Sequence, residues 1–583
     1  MIVDASSPCM AALDVAVREL QRARHPDGYW EGTLSSSALA TATAVSAFSV
    51  AQVHARRAGS AADRAQSKAL IENGTGWLVR RRNADGGWGD TVDSPSNIAT
   101  TLLAVSALTL AGQKTEQRNA LADARRWLAP FGEDRAAAVL AKYGEDRTFA
   151  VPILANAALA GLTPWSAIPA LPYEMALLPH AVFRYLRMQV VSYALPALIA
   201  LGLLAERRQP SKSVLRRGLR RLAERPALRR LRHLQPVGGG FLEAVPLTAF
   251  TAMSLASLYG TDQPVVRAGL DFLRRAVRAD GSWPIDSNLS VWLTSSAVKA
   301  LASAGRREAI GADTIAWLGR QQGRRRHPYT DARPGGWGWT HLPGGVPDTD
   351  DTAGATLVLS RCGEQAEARR GAAWLLNLQN ADGGWPTFCR GWGRLPFDTS
   401  APDLTAHALR ALRAVERNGG GNFARDIARG LRYLERSQQE DGSWRPLWFG
   451  SCHAPDQVNR VLGAGFVLRA LNELAVTGPM RDRATAYLLN VRNADGGWGG
   501  VRNAPSTMEE TAVAVAALAD ADESAGDAAR RGALYLAKGV QDGAWRRPAP
   551  IGLYFASLWY SEALYPLVWT VDALGMFCGL GTL

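Results

Sequence analysis

Three aspartates, Asp348, Asp350 and Asp351, stand within four residues in the segment PGGWGWTHLPGGVPDTDDTAGATLVL. A helical pattern begins directly after them, so one or two of these carboxylates could simply cap a helix N-terminus, where the helix dipole favours negative charge. Three carboxylates this close repel one another, and burial together with that repulsion raises their pKa values. The cluster therefore predicts a carboxylic acid that keeps a proton near neutral pH.

A second polar pair, Asp403 and His407, lies four residues apart in APDLTAHALRA, which places both side chains on one face of a helix. A lone helical histidine is more often a packed core residue than a catalytic one. Protonating an unactivated alkene, however, needs an acid that is still protonated at neutral pH, whereas a free aspartate has a pKa of about 3.9. A cationic partner such as histidine would stabilise the carboxylate that forms when the proton leaves.

The elements that would position these residues form an internal repeat, and a chain of 583 residues is long enough for two or three domains. Each unit consists of a helical run, an Asp-Gly turn or a close variant, a tryptophan and a second helix rich in small residues. Strand signals are nearly absent, which predicts an all-α fold in a solenoid or a closed helical barrel. The repeat tryptophans are Trp30, Trp88, Trp283, Trp385, Trp444, Trp498 and Trp545.

The repeat resembles the QW motif of the squalene–hopene and oxidosqualene cyclase family. The form Gln-x3-Gly-x-Trp is complete at two places and degenerate at others, where arginine replaces the glutamine; the complete copies begin at Gln379 and Gln438. The segments DTDDTA and DLTAH resemble two further elements of that family, and they occur in the expected order and separation. The resemblance implies a proton-initiated class II isoprenoid cyclase, an isomerase or hydro-lyase that needs no cofactor or metal.

The resemblance also implies the domain organisation. It predicts two α/α barrels, one inserted after the first helix of the other. Residues 1–24 and 285–583 would form the catalytic barrel, and residues 25–284 the second barrel. The repeat tryptophans are expected to hold the fold rather than to contact substrate. Homodimerisation is implied by the resemblance alone.

Within this family pattern each polar residue receives a role. Asp350 is assigned as the proton donor, and Asp348 and Asp351 tune its acidity. His407 orients Asp350 and returns a proton to it, and Asp403 supports His407. His453 could end the reaction as a base, but an ordinary loop histidine is the more economical interpretation.

Aromatic side chains are the expected lining of the reaction chamber, because their faces stabilise a carbocation without offering a lone pair, and water must be excluded. Each candidate could instead be ordinary core packing. The resemblance points to Trp339, Trp337, Trp292, Tyr193, Phe388, Tyr554 and Trp559.

The net charge of +13 calls for a partner or surface, and the segment 213–235, SVLRRGLRRLAERPALRRLRHLQ, combines many arginines with leucines at helical spacing. This pattern suits the interface of an anionic membrane, and it equally suits a solvated helix face. No nucleic-acid module accompanies it, so nucleic acid is not an expected partner.

The sequence also bears on location. No signal peptide is recognised, no apolar run is long enough to span a bilayer, and the five cysteines show no paired spacing. We therefore expect a peripheral or monotopic protein on the cytoplasmic face of the cell membrane.

Four functions remain open from the sequence. The first is cyclisation of squalene or a similar linear polyisoprenoid. The second is a class II cyclase of C15 or C20 prenyl diphosphates, in which the arginines of residues 324–326, His327 and Arg333 would hold the diphosphate. The third is a zinc-dependent protein prenyltransferase subunit, which is disfavoured because the sequence shows no plausible set of zinc ligands. A non-catalytic helical-repeat binding protein would not require three clustered aspartates.

Overall fold

The computed structural model describes residues 6–55, 61–112, 115–132, 134–144, 147–179, 182, 185, 195–328, 330–388, 396–519, 523–553 and 558–580. Two predicted pocket residues, Tyr193 and Tyr554, lie outside the described residues. Helices dominate the described chain, so the predicted all-α class is confirmed.

The helices of the N-terminal half, in chain order, are α1 (Ser6–Arg22), α2 (Ala38–Val53), α3 (Ala61–Arg80), α4 (Ile98–Leu110), α5 (Thr115–Leu128), α6 (Arg135–Tyr143), α7 (Arg147–Leu159), α8 (Leu195–Arg208), α9 (Val214–Leu234), α10 (Val245–Tyr259) and α11 (Pro264–Ala276). Those of the C-terminal half are α12 (Ser290–Ser303), α13 (Ala312–Arg320), α14 (Thr349–Arg361), α15 (Gln365–Leu378), α16 (Pro402–Arg417), α17 (Ala424–Ser437), α18 (Arg460–Glu473), α19 (Pro479–Val491), α20 (Met508–Leu518), α21 (Glu523–Gln541) and α22 (Tyr565–Phe577).

Strands are few and short in the described residues. They form two antiparallel pairs: β1 (Ser36–Ser37) with β2 (Trp283–Pro284), and β3 (Ile551–Leu553) with β4 (Leu558–Tyr560). Short 3-10 helices occupy Ala129–Phe131, Trp165–Ala167, Tyr173–Leu177, Phe241–Glu243, Arg307–Ala309, Pro396–Asp398 and Ala544–Arg546.

The chain divides into two compact units, and the first consists of Met1–Thr33, Asn288–His341 and Val346–Leu583. Its inner helices α12, α14, α16, α18, α20 and α22 each pack on the next, and α22 packs back on α12 to close the ring. Helices α1, α13, α15, α17, α19 and α21 form the outer layer. The closed ring explains why the inner helices are rich in alanine and other small residues, since nearly every face of them is buried.

The second unit consists of Leu34–Ser287 and Leu342–Gly345. Its described inner helices α2, α4, α7, α8 and α10 also form a closed ring, and α3, α5, α6, α9 and α11 cover them from outside. The predicted double-barrel class is therefore confirmed. The domain limits expected from the sequence, with breaks after residues 24 and 284, stay a prediction.

The repeat tryptophans connect successive helix pairs in the same way. In six of the seven, the indole Nε1–H donates to the carbonyl oxygen of a leucine ten residues earlier: Trp30 to Leu20, Trp88 to Leu78, Trp283 to Leu273, Trp385 to Leu375, Trp444 to Leu434 and Trp498 to Leu488. All six side chains are fully buried. Because each hydrogen bond contributes about 1 kcal/mol net and each ring buries a large apolar area, these residues stabilise the fold.

Trp337, which the sequence predicts for the reaction chamber, makes the same contact as these repeat tryptophans. Its indole Nε1–H donates to the carbonyl oxygen of Leu318 at 2.8 Å, and its side chain is fully buried. The Gln322 side chain donates to the carbonyl oxygens of Gly335 and Glu367, as Gln379 does to those of Gly383 and Asp426. The separation from Trp337 to its leucine is 19 residues instead of ten, and this longer loop hides the motif in the sequence.

Candidate active site

The acid cluster forms the start of the inner helix α14. Asp348 is the N-cap residue, and its carboxylate accepts a hydrogen bond of 2.9 Å from the backbone N–H of Asp351. The backbone N–H of Asp348 donates to the carbonyl oxygen of Trp337, and that of Thr349 donates to the carbonyl oxygen of Thr387. Capping thus explains Asp348, while these backbone bonds fix Asp350 in the first helical turn.

Asp350 and His407 are in direct contact on neighbouring inner helices. Nδ1 of His407 lies 2.5 Å from Oδ1 of Asp350, and the two side chains are 9% and 17% exposed, respectively. Burial raises the pKa of Asp350 to about 7, while the nearby Lys299 charge opposes that rise. The carboxyl therefore retains a proton near neutral pH, as alkene protonation requires.

Asp348 and Asp351 form a second carboxyl pair beside this contact. Burial is the largest cause of the rise in both pKa values, and it raises the pKa of Asp348 to about 7. The pKa of Asp351 lies well above its ordinary value because of burial and the neighbouring Asp348 carboxylate. Because burial and repulsion from a neighbouring carboxylate raise both pKa values, two negative charges on this pair next to Asp350 are disfavoured.

The imidazole of His407 is neutral in this environment, which differs from the cationic histidine that the sequence suggested. Burial is the main cause that lowers the pKa of His407 well below its ordinary value, and Lys299 and Arg410 lower it further. The ammonium Nζ of Lys299 lies 3.2 Å from Nε2 of His407, on the opposite side of the ring from Asp350. The positive charge nearest to the acid is therefore on Lys299.

Asp403 has different partners from those predicted. Its carboxylate accepts hydrogen bonds from the backbone N–H groups of Leu447 at 3.1–3.2 Å and Trp448 at 3.4 Å. Burial, followed by repulsion from Asp350, raises the pKa of Asp403 to about 7. Asp403 therefore holds the segment that precedes α18, although it lines the same cavity as Asp350 and His407.

A cavity inside the first barrel brings these groups together. Its wall includes Asp350, Asp403 and His407, together with the cationic groups of Lys299, Arg410 and Arg469. Arg410 is paired with Glu473 at 2.6 Å, and Arg469 is paired with Asp572 and Glu473. The two arginines of the cavity wall are thus paired with half-buried carboxylates.

Aromatic residues surround the acid in two groups. Trp292 lines the cavity, and its ring meets that of His407 edge-on with centroids 5.9 Å apart. The same cavity wall includes three aromatic residues that the sequence analysis did not select, namely Phe449, Phe466 and Trp569. Their rings contact one another at centroid distances of 5.4–6.1 Å.

The second group lies on the loops that lead into the inner helices. Trp339 contacts Phe388 with centroids 6.3 Å apart, so two predicted pocket residues come together. Phe388 also contacts Phe397 and Trp448, which the sequence analysis missed. Thr387, adjacent to Phe388, accepts the hydrogen bond from Thr349, so this group adjoins the acid helix.

Two further candidates lie elsewhere. Trp559 is buried in strand β4, paired with Gly552, and is not part of the cavity wall within the described residues. His453 is exposed, which agrees with the interpretation as a loop histidine.

Comparison with known proteins agrees with this geometry. The profile of the squalene-hopene cyclase N-terminal domain matches residues 13–232, and that of the squalene-hopene cyclase C-terminal domain matches residues 288–577. The squalene–hopene cyclase of Alicyclobacillus acidocaldarius is 26% identical over 662 aligned positions, which cover 97% of each chain. Enfumafungin synthase efuA of Hormonema carpetanum is 25% identical over 658 positions, 94% of this chain and 47% of that protein, so the chain spans about half of that relative. Among solved structures, ent-copalyl diphosphate synthase from Streptomyces platensis shares the fold, with a TM-score of 0.59, 19% identity and coverage of 98% and 99%.

Proposed function

Because this chain belongs to the squalene–hopene cyclase family of class II terpene cyclases, we propose that it protonates an alkene of squalene or a similar linear polyisoprenoid and cyclises it. One observation carries the proposal. Asp350 combines a raised pKa with a hydrogen bond of 2.5 Å to a neutral histidine on the wall of a cavity lined by aromatic residues.

The reaction begins at the free oxygen of Asp350. In the described part of the chain Oδ2 makes no hydrogen bond, whereas Oδ1 is held by His407. The Oδ2–H bond breaks as a C–H bond forms at the alkene, and the carbocation that results is attacked by the next double bond. Aromatic faces stabilise each cation. Loss of a proton, or capture of water followed by loss of one of its protons, ends the reaction.

A neutral substrate fits the charges of the cavity better than a diphosphate does. Arg410 and Arg469 are already paired with carboxylates, and Lys299 is hydrogen-bonded to His407. The basic loop that could hold a diphosphate is exposed, and its Arg326 is paired with Asp331 at 3.0 Å. The alternative function, cyclisation of a C15 or C20 prenyl diphosphate, would need an unpaired cationic group that faces the cavity.

The substrate test compares squalene with geranylgeranyl and farnesyl diphosphates, each with and without magnesium, in detergent-solubilised enzyme. We expect cyclic products from squalene by mass spectrometry and none from the Asp350→Asn variant. Turnover of the diphosphates alone would overturn the choice of substrate. Equal turnover by Asp350→Asn would overturn the assignment of Asp350 as the acid. Turnover of no polyene would overturn the proposed chemistry and leave a helical-repeat binding protein.

We also propose that α9 docks on an anionic membrane that supplies the substrate, at the cytoplasmic face. Leu215, Leu219 and Leu222 on its first half are 85%, 55% and 78% exposed. Exposed arginines flank them, whereas Leu231 and Leu234 on the second half are buried in the barrel. Transfer of leucines exposed in this way into the acyl region of a bilayer is favourable, and arginines are attracted to anionic headgroups. In the described residues, no helix is both long and apolar enough to cross a membrane.

The membrane test is sedimentation with vesicles that contain phosphatidylglycerol. Replacing Leu215, Leu219 and Leu222 together by serine should reduce binding at least tenfold, while leaving turnover of detergent-solubilised squalene unchanged. Val53→Ser removes a 77% exposed valine elsewhere and serves as the matched control. Equal vesicle binding by the triple variant and the control would contradict this docking surface.

A further inference from the structure

Lys299 is a cationic residue that contacts His407, the partner of Asp350, and it lies outside the sequence motifs described above. It stands on the inner helix α12, seven residues after Trp292, and lines the same cavity as Asp350 and His407. Its Nζ lies 3.2 Å from Nε2 of His407 and 5.4 Å from the centroid of the Trp292 ring. The side chain is thus fixed by two contacts, one of which is with the residue that binds the acid.

The chemistry of the two groups sets the direction of their hydrogen bond. In its ammonium form Lys299 has three N–H donors and no acceptor, so Nε2 of His407 then accepts. In a neutral imidazole the other nitrogen then carries the hydrogen, and Nδ1–H donates to Oδ1 of Asp350. The reactive proton of Asp350 is consequently left on Oδ2. With the opposite tautomer, Nδ1 would accept the acid proton and hold it away from the substrate.

We propose that Lys299 is a positioning residue for the acid: it holds His407 as the Nδ1–H tautomer, and its ammonium charge stabilises the Asp350 carboxylate after proton transfer. This inference rests on the proposed function. From the sequence, one cationic histidine is expected to supply both the hydrogen bond to the acid and the stabilising charge, whereas here two residues share these roles. His407 supplies the hydrogen bond, and Lys299 supplies the charge.

The surroundings of Lys299 keep this charge sensitive to its neighbours. Asp350 on α14 and Asp572 on α22 attract the ammonium group, while Arg410 on α16 and Arg469 on α18 repel it. Burial is the largest influence, and together these effects lower the pKa of Lys299 to about 7. A gain of negative charge on Asp350 during catalysis favours the ammonium form, so the charge is strongest when the carboxylate needs it.

Three variants separate the hydrogen bond from the charge. Lys299→Arg keeps both, Lys299→Gln keeps a donor without the charge, and Lys299→Met keeps neither. We expect kcat to fall about 100-fold in Lys299→Met, about 10-fold in Lys299→Gln and least in Lys299→Arg, with KM changed by less than about twofold. Circular dichroism and thermal unfolding of each variant test whether the fold is intact, and Lys299→Gln is close enough in size to stand in for a Met variant that fails to fold.

A direct readout of the tautomer makes the test independent of the substrate. In protein labelled with 15N-histidine, the His407 signals are assigned with His407→Asn, and the shifts of its two ring nitrogens show which one carries hydrogen. We expect Nδ1–H in the wild type, Lys299→Arg and Lys299→Gln, and its loss in Lys299→Met. Unchanged tautomer and unchanged kcat in folded Lys299→Met or Lys299→Gln would overturn the inference. Wild-type protein that turns over no polyene would instead overturn the proposed function.

Discussion

His407 and Asp350 are 57 residues apart in sequence, yet Nδ1 of His407 lies 2.5 Å from Oδ1 of Asp350. The contact exists because the inner helices α14 and α16 are neighbours in the first barrel. It makes the two oxygens of Asp350 inequivalent, since only one of them is held. In the proposed reaction, the proton that is transferred is therefore the one on the other oxygen, at the cavity wall.

Removing either member of this pair should affect chemistry more than binding. Asp350→Asn cannot donate a proton and should lower kcat by at least 1000-fold, while His407→Asn should lower it about 100-fold. Neither change removes apolar contacts, so KM should stay within about threefold. Steady-state kinetics with squalene check both values. A large rise in KM with little change in kcat would indicate that the pair binds substrate instead.

The pH dependence should follow the acid form of Asp350. Its pKa is raised to about 7, so the protonated carboxyl is present below that pH and is lost above it. We expect kcat/KM to be level on the acid side and to fall by about tenfold per pH unit above about pH 7. Because Lys299 opposes the rise in this pKa, Lys299→Met should move the inflection to higher pH. A level profile between pH 5 and 9 would contradict the assignment.

Variants of Asp403 can test whether it supports His407, as the sequence predicts, or holds the backbone of a neighbouring loop. The structure has it accepting hydrogen bonds from the backbone N–H groups of Leu447 and Trp448. Asn retains an oxygen for these groups, so Asp403→Asn should keep kcat within about threefold, whereas Asp403→Ala leaves buried donors unpaired and should cost about 1–3 kcal/mol of stability. Chemical denaturation and kinetics measure the two effects. A loss of activity in Asp403→Asn as large as that in His407→Asn would support the role predicted from the sequence.

Trp337 and Trp339 form a matched pair two residues apart. The Trp337 indole donates to the carbonyl oxygen of Leu318, so Trp337→Phe should lower the free energy of unfolding by about 2 kcal/mol. The Trp339 indole N–H has no partner in the described residues, so Trp339→Phe should leave that free energy nearly unchanged. Trp339→Leu removes the aromatic face and should lower kcat about tenfold or change the products. Equal destabilisation by the two Phe variants would show that Trp339 is structural as well.

The parts of the site that the sequence predicted are those with a local pattern. The aspartate cluster and the Asp403–His407 spacing lie within single segments, and the repeat identifies the helices that bring them together. Lys299 has no such signal, because 108 residues separate it from His407 in sequence. Its only sequence mark is its position two helical turns after Trp292. Phe449, Phe466 and Trp569 likewise come from separate elements around the closed ring. For Trp337, a longer loop conceals its likeness to the repeat tryptophans in the sequence.

Glu509, on the first turn of α20, predicts how stability changes with pH. It is 1% exposed, its carboxylate accepts a hydrogen bond of 2.7 Å from the backbone N–H of Ala549, and burial followed by repulsion from Glu510 raises its pKa to about 8. A glutamate in the unfolded chain has a pKa of about 4.3, so between that value and about 8 the folded state holds an extra proton. This contribution to stability is complete below about pH 4 and is lost as the pH rises to about 8.

Glu509→Gln removes this titration but retains an oxygen for Ala549. Calorimetry should therefore give similar Tm values for wild type and variant at low pH, and a Tm higher by roughly 2 °C for the variant at pH 9. Asp527→Asn is the matched control, because Asp527 is paired with Arg530 and Arg531 at the surface and its pKa is lowered. Parallel curves for wild type and Glu509→Gln from pH 5 to 9 would show that this carboxyl is ionised in the folded protein throughout that range.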